Sequence, residues 1–477
     1  MAADRGQFSS KLGFILAAAG SAVGLGNLAA FPVGAAKNGG AAFLLIYLIF
    51  VAFICYPVMM AEMSMGRKSK KNPVGAFKDL SGNDSFWTKI GMLGVITPFM
   101  IAVFYLVLTV WVFEYFIQTV LGNLDMLSQD ASFGKIIADP SLFFYTLIVV
   151  GITFYILKGG VKDGIEKTAK ILMPTLAVMM VLLAIFVLTL DNAFKGIEFY
   201  LVPDFSKINS QVVSSALSQA FFSLSLGMGI LITYGSYLRK EDDIADSAKL
   251  VAITDSAIAF FAGLVILPAI FSFNPNIDGS TLSESSVGLI FSFLPKVFIS
   301  MQATVGYAGA SIVAGIFFLL VFFAAITSLV SILEVPIAYF VDEKEYKREK
   351  SLSTVTILFL IFGAMCTVSF GMVDFFSSMW TYGGAETKSF FDYVYDMFYE
   401  TILPFIGFTV CIFTVRKWKM SEFTSELNIG NPSYEGSSLH KYVDVSLKTY
   451  IPAILFIVFL IAFVKIYFGV DLVGLLF

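Results

Sequence analysis

The sequence predicts an all-α polytopic membrane protein of eleven transmembrane helices, arranged as a five-plus-five inverted repeat in which helices 1 and 6 are broken. Three observations carry this reading: the composition, the apolar runs, and glycine-rich interruptions at matching places in the two halves of the chain. Of 477 residues, 58% are hydrophobic and 14% charged, against about 25% charged in an ordinary soluble protein. Two or three soluble domains would need far more charge to cover their surfaces. A soluble multidomain enzyme is therefore excluded. The lone His440 and the widely separated Cys55, Cys366 and Cys411 leave too few parts for a multi-histidine zinc site, Ser-His-Asp catalysis, a disulfide scaffold or a cysteine metal cluster. A formal net charge of −4 carries no nucleic-acid signal, and no nucleic-acid partner or organic cofactor is expected.

A helix needs roughly 20 apolar residues to cross the hydrocarbon core, where unpaired backbone groups are costly. Such segments, numbered here as spans 1 to 11, lie at about 12–35, 41–66, 89–121, 141–157, 171–190, 211–238, 244–272, 305–341, 351–372, 390–415 and 449–469. The first is too long in its apolar stretch, and too interrupted by glycine, for a cleaved signal peptide. Basic residues collect in alternate loops, at 67–71, 158–170, 239–240, 344–350 and 416–419. By the positive-inside rule those loops and the N-terminus are cytoplasmic, in a cell membrane. The organisation expected is a cytoplasmic segment 1–11, two five-helix repeats at 12–190 and 211–415, a cytoplasmic polar loop 416–448, and an eleventh helix with an outer C-terminus at 449–477.

Two spans are unlike plain lipid-facing helices. Span 1 contains Gly20-Ser21-Ala22-Val23-Gly24-Leu25-Gly26-Asn27 and ends in Phe31-Pro32, and span 6 contains Phe221-Phe222-Ser223-Leu224-Ser225-Leu226-Gly227-Met228-Gly229. Glycine permits unwinding and exposure of carbonyls and amides. One such segment alone is equally explained by close helix packing through small residues. Two of them, each opening a five-span half, match a transporter arrangement in which free helix ends bind ions and the charged end of a solute. Span 8 adds Ala324-Ala325-Ile326-Thr327-Ser328, whose carbonyls and hydroxyls are the hard oxygen ligands that suit sodium. Among intramembrane carboxylates, functional candidates by default, Asp255 lies near the midplane of span 7. Its alternatives are ion binding and a structural hydrogen bond. Glu62 and Glu334 lie nearer the basic ends, where a structural role is expected, and Glu114 and Glu400 have no evident partner.

The span 1 run, with Lys37-Asn38-Gly39-Gly40-Ala41 and Met63-Ser64-Met65-Gly66-Arg67, resembles the bacterial branch of the neurotransmitter:sodium symporter family. The likeness covers spans 1 to 10. Inverted repeats are typified partly by this family, so it adds no independent support for them. The resemblance implies two sodium sites. One would use the carbonyls of Gly20, Val23 and Ala324 with the hydroxyls of Thr327 and Ser328; the other, the Ala22 carbonyl, Asn27, Ser223 and Asp255. It implies a solute pocket lined by Ser21, Ala22, Leu25, Gly26, Ile101, Tyr105, Phe222, Ser225, Met228, Ser328 and Ile332, with Tyr105 bonding a carboxylate and Phe222 as the lid. Tyr47, Gln219 and Ser223 remain from the chloride-binding set of chloride-dependent relatives, but Ala259 replaces their serine. The negative charge at Asp255 should attract a cation and repel chloride, so no chloride dependence is expected. Gly24 stands where amine-selective relatives carry Asp.

The resemblance further implies an internal gate of Arg5 and Asp342, with Phe8 and Tyr237. The outer gate departs from the family. Ala30 replaces its arginine, and Tyr395 stands at the best-aligned acidic position, with Asp392 and Asp396 flanking it. Outer closure is then expected to rest on Phe222 and Tyr105. The function this supports is sodium-coupled import of a small zwitterionic solute, an apolar amino acid being favoured, by alternating access, in a lipid-embedded monomer or weak dimer. A substrate sensor or channel-like conductor on the same fold is the alternative, weakened by the lack of an attached signalling domain. Unwinding near Gly159-Gly160 is the expected sodium release route.

Overall fold

A computed structural model describes residues 6–273, 289–384 and 386–472. Within them, each apolar segment read from the sequence is helical over most of its length. Span 1 comprises Lys11–Ala22 and Gly26–Lys37, bent by 54° at a short break. The long helices are span 2 (Ala41–Ser69), span 3 (Ser85–Val120), span 5 (Gly160–Val187), span 7 (Ile244–Ser272), span 8 (Gln302–Asp342), span 9 (Arg348–Val368), span 10 (Phe390–Gly430) and span 11 (Ser438–Phe468). Span 4 is the shorter apolar helix Leu142–Lys158, and span 6 is split into Ser210–Ser223 and Ile230–Gly235. Among the described residues, eight helices are long and apolar enough to cross a membrane alone, nine with the bent pair. Spans 4 and 6 fall short of that length, so the helices are consistent with eleven crossings. The chain is a helical polytopic membrane protein, and a two-stranded hairpin, Trp380–Tyr382 against Glu386–Lys388, is its one departure from all-α among the described residues.

The breaks have local causes. In span 1 the helix stops where Val23 turns extended, at φ −71° and ψ 104°. In span 6, Ser225, Gly227 and Gly229 have φ of 54°, 76° and 65°, and left-handed residues at alternate positions cannot continue a right-handed helix. A Cβ on Gly227 would also stand 2.6 Å from the Leu403 carbonyl, so glycine is needed there for packing as well as conformation. Glu62 of span 2 fastens the broken segment, accepting from the Gly227 N–H at 2.8 Å.

Two stretches differ from expectation. Span 5 begins at Gly160 rather than near 171, because a π-helical turn, Gly160–Glu166, leads into it. Gly164 makes this possible: a Cβ there would lie 2.0 Å from the Ile156 carbonyl. The expected polar loop 416–448 is largely helical, in Met420–Gly430 and Ser438–Lys448. Its polar average conceals Phe423 with Leu427 and Val443 with Leu447, all buried, at the i,i+4 spacing of an amphipathic helix. Arg67 of span 2 clamps the first of these helices, donating to Glu426 Oε1 at 2.7 Å and to the Asp242 carbonyl at 2.5 Å. Span 2 itself has a π-helical turn, Val51–Cys55. There Tyr442 and Tyr450 of span 11 donate their hydroxyls to the Ala52 and Phe53 carbonyls at 2.5 and 2.9 Å. At the foot of span 3, Asp84 caps the helix by accepting from Phe86 N at 2.9 Å, and the bond from Lys417 holds its carboxyl below the usual range.

Candidate functional site

The broken ends of spans 1 and 6 meet against spans 3, 7 and 8, and two oxygen-rich clusters form there. In the first, the Ser328 hydroxyl lies 3.5 Å from the Gly20 carbonyl, 3.1 Å from that of Ser21 and 3.2 Å from that of Val23. The Thr327 hydroxyl lies 3.0 Å from the Ala324 carbonyl. A hydroxyl has one proton to give. Three carbonyls around Ser328 therefore leave acceptor capacity unused, which suits a cation.

The second cluster centres on Asp255, which is fully buried. Asn27 Nδ2 donates to Asp255 Oδ1 at 2.7 Å, while Ser223 Oγ and Tyr47 Oη donate to Oδ2 at 2.8 and 3.1 Å. No ion pair to Asp255 forms among the described residues. Asn27 Oδ1 accepts from Gly24 N at 3.1 Å, and Gln219 Nε2 donates to the Gly26 carbonyl at 2.8 Å. Ala22 is the last residue of the first half-helix of span 1.

Between the clusters, Tyr105 Oη accepts from Leu25 N at 3.0 Å. Gly24 has no room for a side chain, since a Cβ would stand 2.6 Å from both Ser328 Oγ and Tyr105 Oη. Ser225 Oγ donates to the Ser21 carbonyl at 3.2 Å, tying the two breaks together. Of the expected lining, Leu25, Gly26 and Tyr105 open onto an apolar cavity of about 130 Å³, and Phe222 onto a second cavity of about 480 Å³. Ser21, Ala22, Ile101, Ser225, Met228, Ser328 and Ile332 are buried in the packing beneath.

The lid corrects one expectation. Phe222 stacks on Tyr399, with ring centroids 4.1 Å apart and planes at 21°, not on Tyr105. Tyr399 in turn meets Tyr395 at 4.9 Å and Phe104 at 5.7 Å, and Phe104 meets Tyr395 at 5.3 Å. Ala30 and Tyr395 line the same cavities, so the aligned positions do face one another. The flanking acids are engaged elsewhere: Asp392 in the capping box of Ser389, and Asp396 by the Tyr382 hydroxyl at 2.9 Å. The i,i+4 spacing of Tyr395 and Tyr399 was the available signal for the second tyrosine.

The basic end is packed shut. Phe8 is buried and meets Phe14, Tyr234 and Tyr237 edge-on at 5.4, 5.6 and 6.2 Å. Tyr237 donates to Glu334 Oε1 at 2.8 Å, and Arg348 grips both Glu334 oxygens at 2.9 and 2.7 Å. Asp342 accepts from the backbone and side-chain amides of Asn72, each at 2.9 Å. Its expected partner Arg5 lies outside the described residues. Glu166, which no motif pointed to, accepts from Ser9 N at 2.7 Å and Ser9 Oγ at 2.5 Å and pairs with Lys170 at 2.6 Å. It thus ties the π-helical start of span 5 to the segment before span 1. Gly13 is needed for that approach, because a Cβ there would fall 1.9 Å from Glu166 Oε1.

Comparison with known proteins adds an independent finding. A family profile described as the sodium:neurotransmitter symporter family matches residues 5–135 and 132–470. The chain is 34% identical over 462 residues to the uncharacterized sodium-dependent transporter YhdH of Bacillus subtilis (strain 168), covering 95% of this chain and 97% of the other. It is 32% identical over 475 residues to an uncharacterized sodium-dependent transporter of Haemophilus influenzae, covering 96% and 98%. The crystal structure of MhsT in complex with L-phenylalanine superposes with a TM-score of 0.82 at 38% identity, over 96% of this chain and 99% of that one.

Proposed function

The chain belongs to the sodium:neurotransmitter symporter family, a family of transporters rather than enzymes, and from that premise we propose that it imports an apolar amino acid with sodium by alternating access. The observation that carries the proposal is the pair of oxygen clusters at facing helix breaks, one of them built on a buried carboxylate with no basic partner. Phenylalanine in the structural neighbour MhsT supports an amino acid as solute. In this reading the basic loops are cytoplasmic.

Each residue then has a task. The carbonyls of Gly20, Val23 and Ala324 and the hydroxyls of Thr327 and Ser328 receive one sodium ion. The Ala22 carbonyl, Asn27, Ser223 and Asp255 receive a second. Tyr105 and the Leu25 amide that now donates to it take the solute carboxylate, while Ser21, Leu25, Gly26, Ile101, Ser225, Met228 and Ile332 surround the rest. Two sodium ions entering at 100 mV supply about 4.6 kcal/mol, or roughly a thousandfold accumulation. Asp255 also accepts from Tyr47 and Ser223, two groups that would otherwise serve an anion. A fixed carboxylate in that position supports chloride-independent transport.

The test is sodium-dependent stabilisation of purified protein across amino acids, followed by uptake into proteoliposomes. Apolar amino acids should raise the melting temperature in sodium but not in choline, because only a ligand of the folded state stabilises it. Uptake should be unchanged when gluconate replaces chloride. Solute binding that ignores sodium would overturn the symport proposal, and uptake that needs chloride would overturn the role given to Asp255.

Outer closure rests, in this reading, on the rings of Phe222, Tyr399, Tyr395 and Phe104. Each aromatic pair contributes about 0.5–1.5 kcal/mol, so Tyr399→Ala should lower the closed population roughly tenfold or more. An Ala30→Cys reporter in the second cavity should then be labelled correspondingly faster by a thiol reagent, with Tyr399→Phe close to wild type. Unchanged labelling in Tyr399→Ala would return closure to other contacts.

A further inference from the structure

Away from the solute path, the ends of spans 3 and 8 opposite the basic loops enclose a groove of about 510 Å³, walled by Phe116, Thr119, Tyr307, Ser311, Gly315 and Leu319 among others. Its rim faces the hydrocarbon: Val120 and Ile312 are 65% and 62% exposed. One polar atom in it is unserved. Ser311 is 9% exposed and its hydroxyl has no hydrogen-bond partner. Thr119 on the facing wall bonds back to the Phe116 carbonyl at 2.7 Å, and Ser331 further along span 8 bonds to Thr327 O at 2.9 Å. The Ser311 hydroxyl makes no such bond to its own helix.

The groove also has a marked depth. At its top, the Tyr307 hydroxyl donates to the Gly122 carbonyl and lies 3.1 Å from Asp125 Oδ1, both just beyond the end of span 3. A tyrosine fixed to polar loop groups there marks the membrane–water interface. From Tyr307 to Leu319 the helix rises about 18 Å at 1.5 Å per residue. One leaflet of a bilayer core roughly 30 Å thick is about 15 Å deep. The groove therefore runs from interface to midplane, the span of a single acyl chain. Ser311, one turn below Tyr307, sits at the level where such a chain carries its ester.

We propose that this groove binds one acyl chain of an outer-leaflet glycerophospholipid, with the Ser311 hydroxyl donating to the chain's ester carbonyl. The occupant is assigned by depth and by chemistry: an apolar channel one leaflet long, with a single unused hydrogen-bond donor on its wall, a covered hydroxyl that turns about χ1 to meet an ester oxygen. The outer side follows from the orientation proposed above, but binding itself is independent of any transport activity.

The experiment is native mass spectrometry of delipidated full-length protein titrated with diacyl phosphatidylglycerol or its diether analogue, which lacks the ester carbonyls. Wild type should retain one tightly bound diacyl lipid and bind the diether at least fivefold more weakly. Ser311→Ala should bind both equally. Ala308→Trp, on an exposed part of the wall, should reduce diacyl retention at least tenfold, whereas Ile357→Trp, on the 59% exposed face of span 9, should leave it unchanged. Full retention in Ala308→Trp would overturn the site. Equal binding of diester and diether by wild type would overturn the role of Ser311. Crosslinking of two copies through Ile312→Cys in lipid would give the groove to a second chain and also overturn the proposal.

Discussion

Asp255→Asn should shift the sodium activation curve of solute uptake to roughly 30- to 150-fold higher concentration. A hydrogen bond or ligand contact to a charged group is worth about 1.5–3 kcal/mol, and each 1.4 kcal/mol is about tenfold. The upper part of that range is appropriate because the carboxylate is fully buried, with Asn27, Ser223 and Tyr47 already oriented toward it. The fold should survive. Asparagine keeps an oxygen for Asn27 Nδ2 and places an amide where Ser223 and Tyr47 can accept instead of donate. With the charge gone, Tyr47, Gln219 and Ser223 are freed to face an anion. Uptake by the variant should become chloride-stimulated, and more so with Ala259→Ser added. Uptake against sodium, in chloride and in gluconate, measures both effects. A sodium curve identical to wild type would remove Asp255 from the ion path.

Gly24→Ala should lower uptake at least about 30-fold with little loss of thermal stability. A methyl at that position would stand 2.6 Å from the hydroxyls of both Ser328 and Tyr105, so both must move. Each is the movable end of a side chain, so the helix packing is spared. What suffers is function, because one hydroxyl is assigned to a sodium ion and the other to the solute carboxylate. Displacing two such groups at about 1–3 kcal/mol each gives the stated factor. Gly26→Ala is the control. Its methyl would come no closer than 3.9 Å to Gln219 Nε2, and uptake should fall less than tenfold. Equal losses in the two variants would mean that backbone freedom, not space, is what both glycines provide.

These residues also mark how far the sequence could be read. Helix breaks 1 and 6 were legible because glycine and serine at mid-membrane depth are conspicuous in apolar runs, and both breaks are present at the expected places. The alternatives left open at Asp255, ion site or structural partner, could not be separated by spacing; its partners Asn27, Tyr47 and Ser223 come from three other spans. Gly24 was legible only as the absence of an amine-binding acid. That the position cannot hold any side chain depends on two hydroxyls from spans 3 and 8. Tyr399 was missed for the same reason: its contact with Phe222 joins residues far apart in sequence, and its i,i+4 spacing from Tyr395 was the one local sign of it. The early start of span 5 was hidden by Gly159 and Gly160, which read as a loop although the second of them begins a π turn. The helices at 416–448 were hidden by averaging, since four buried apolar residues do not alter a polar mean.

The π turn of span 2 bears on how the molecule is made. Its Ala52 and Phe53 carbonyls take hydroxyl protons from tyrosines 390 and 397 residues later in the chain. During synthesis the second helix would therefore be threaded into the bilayer long before these partners emerge from the ribosome. Its final shape waits on the insertion of span 11. A chain arrested before residue 442 would carry an unfinished second crossing, however complete the intervening helices, which makes span 11 a checkpoint for assembly as well as a peripheral element of the finished protein.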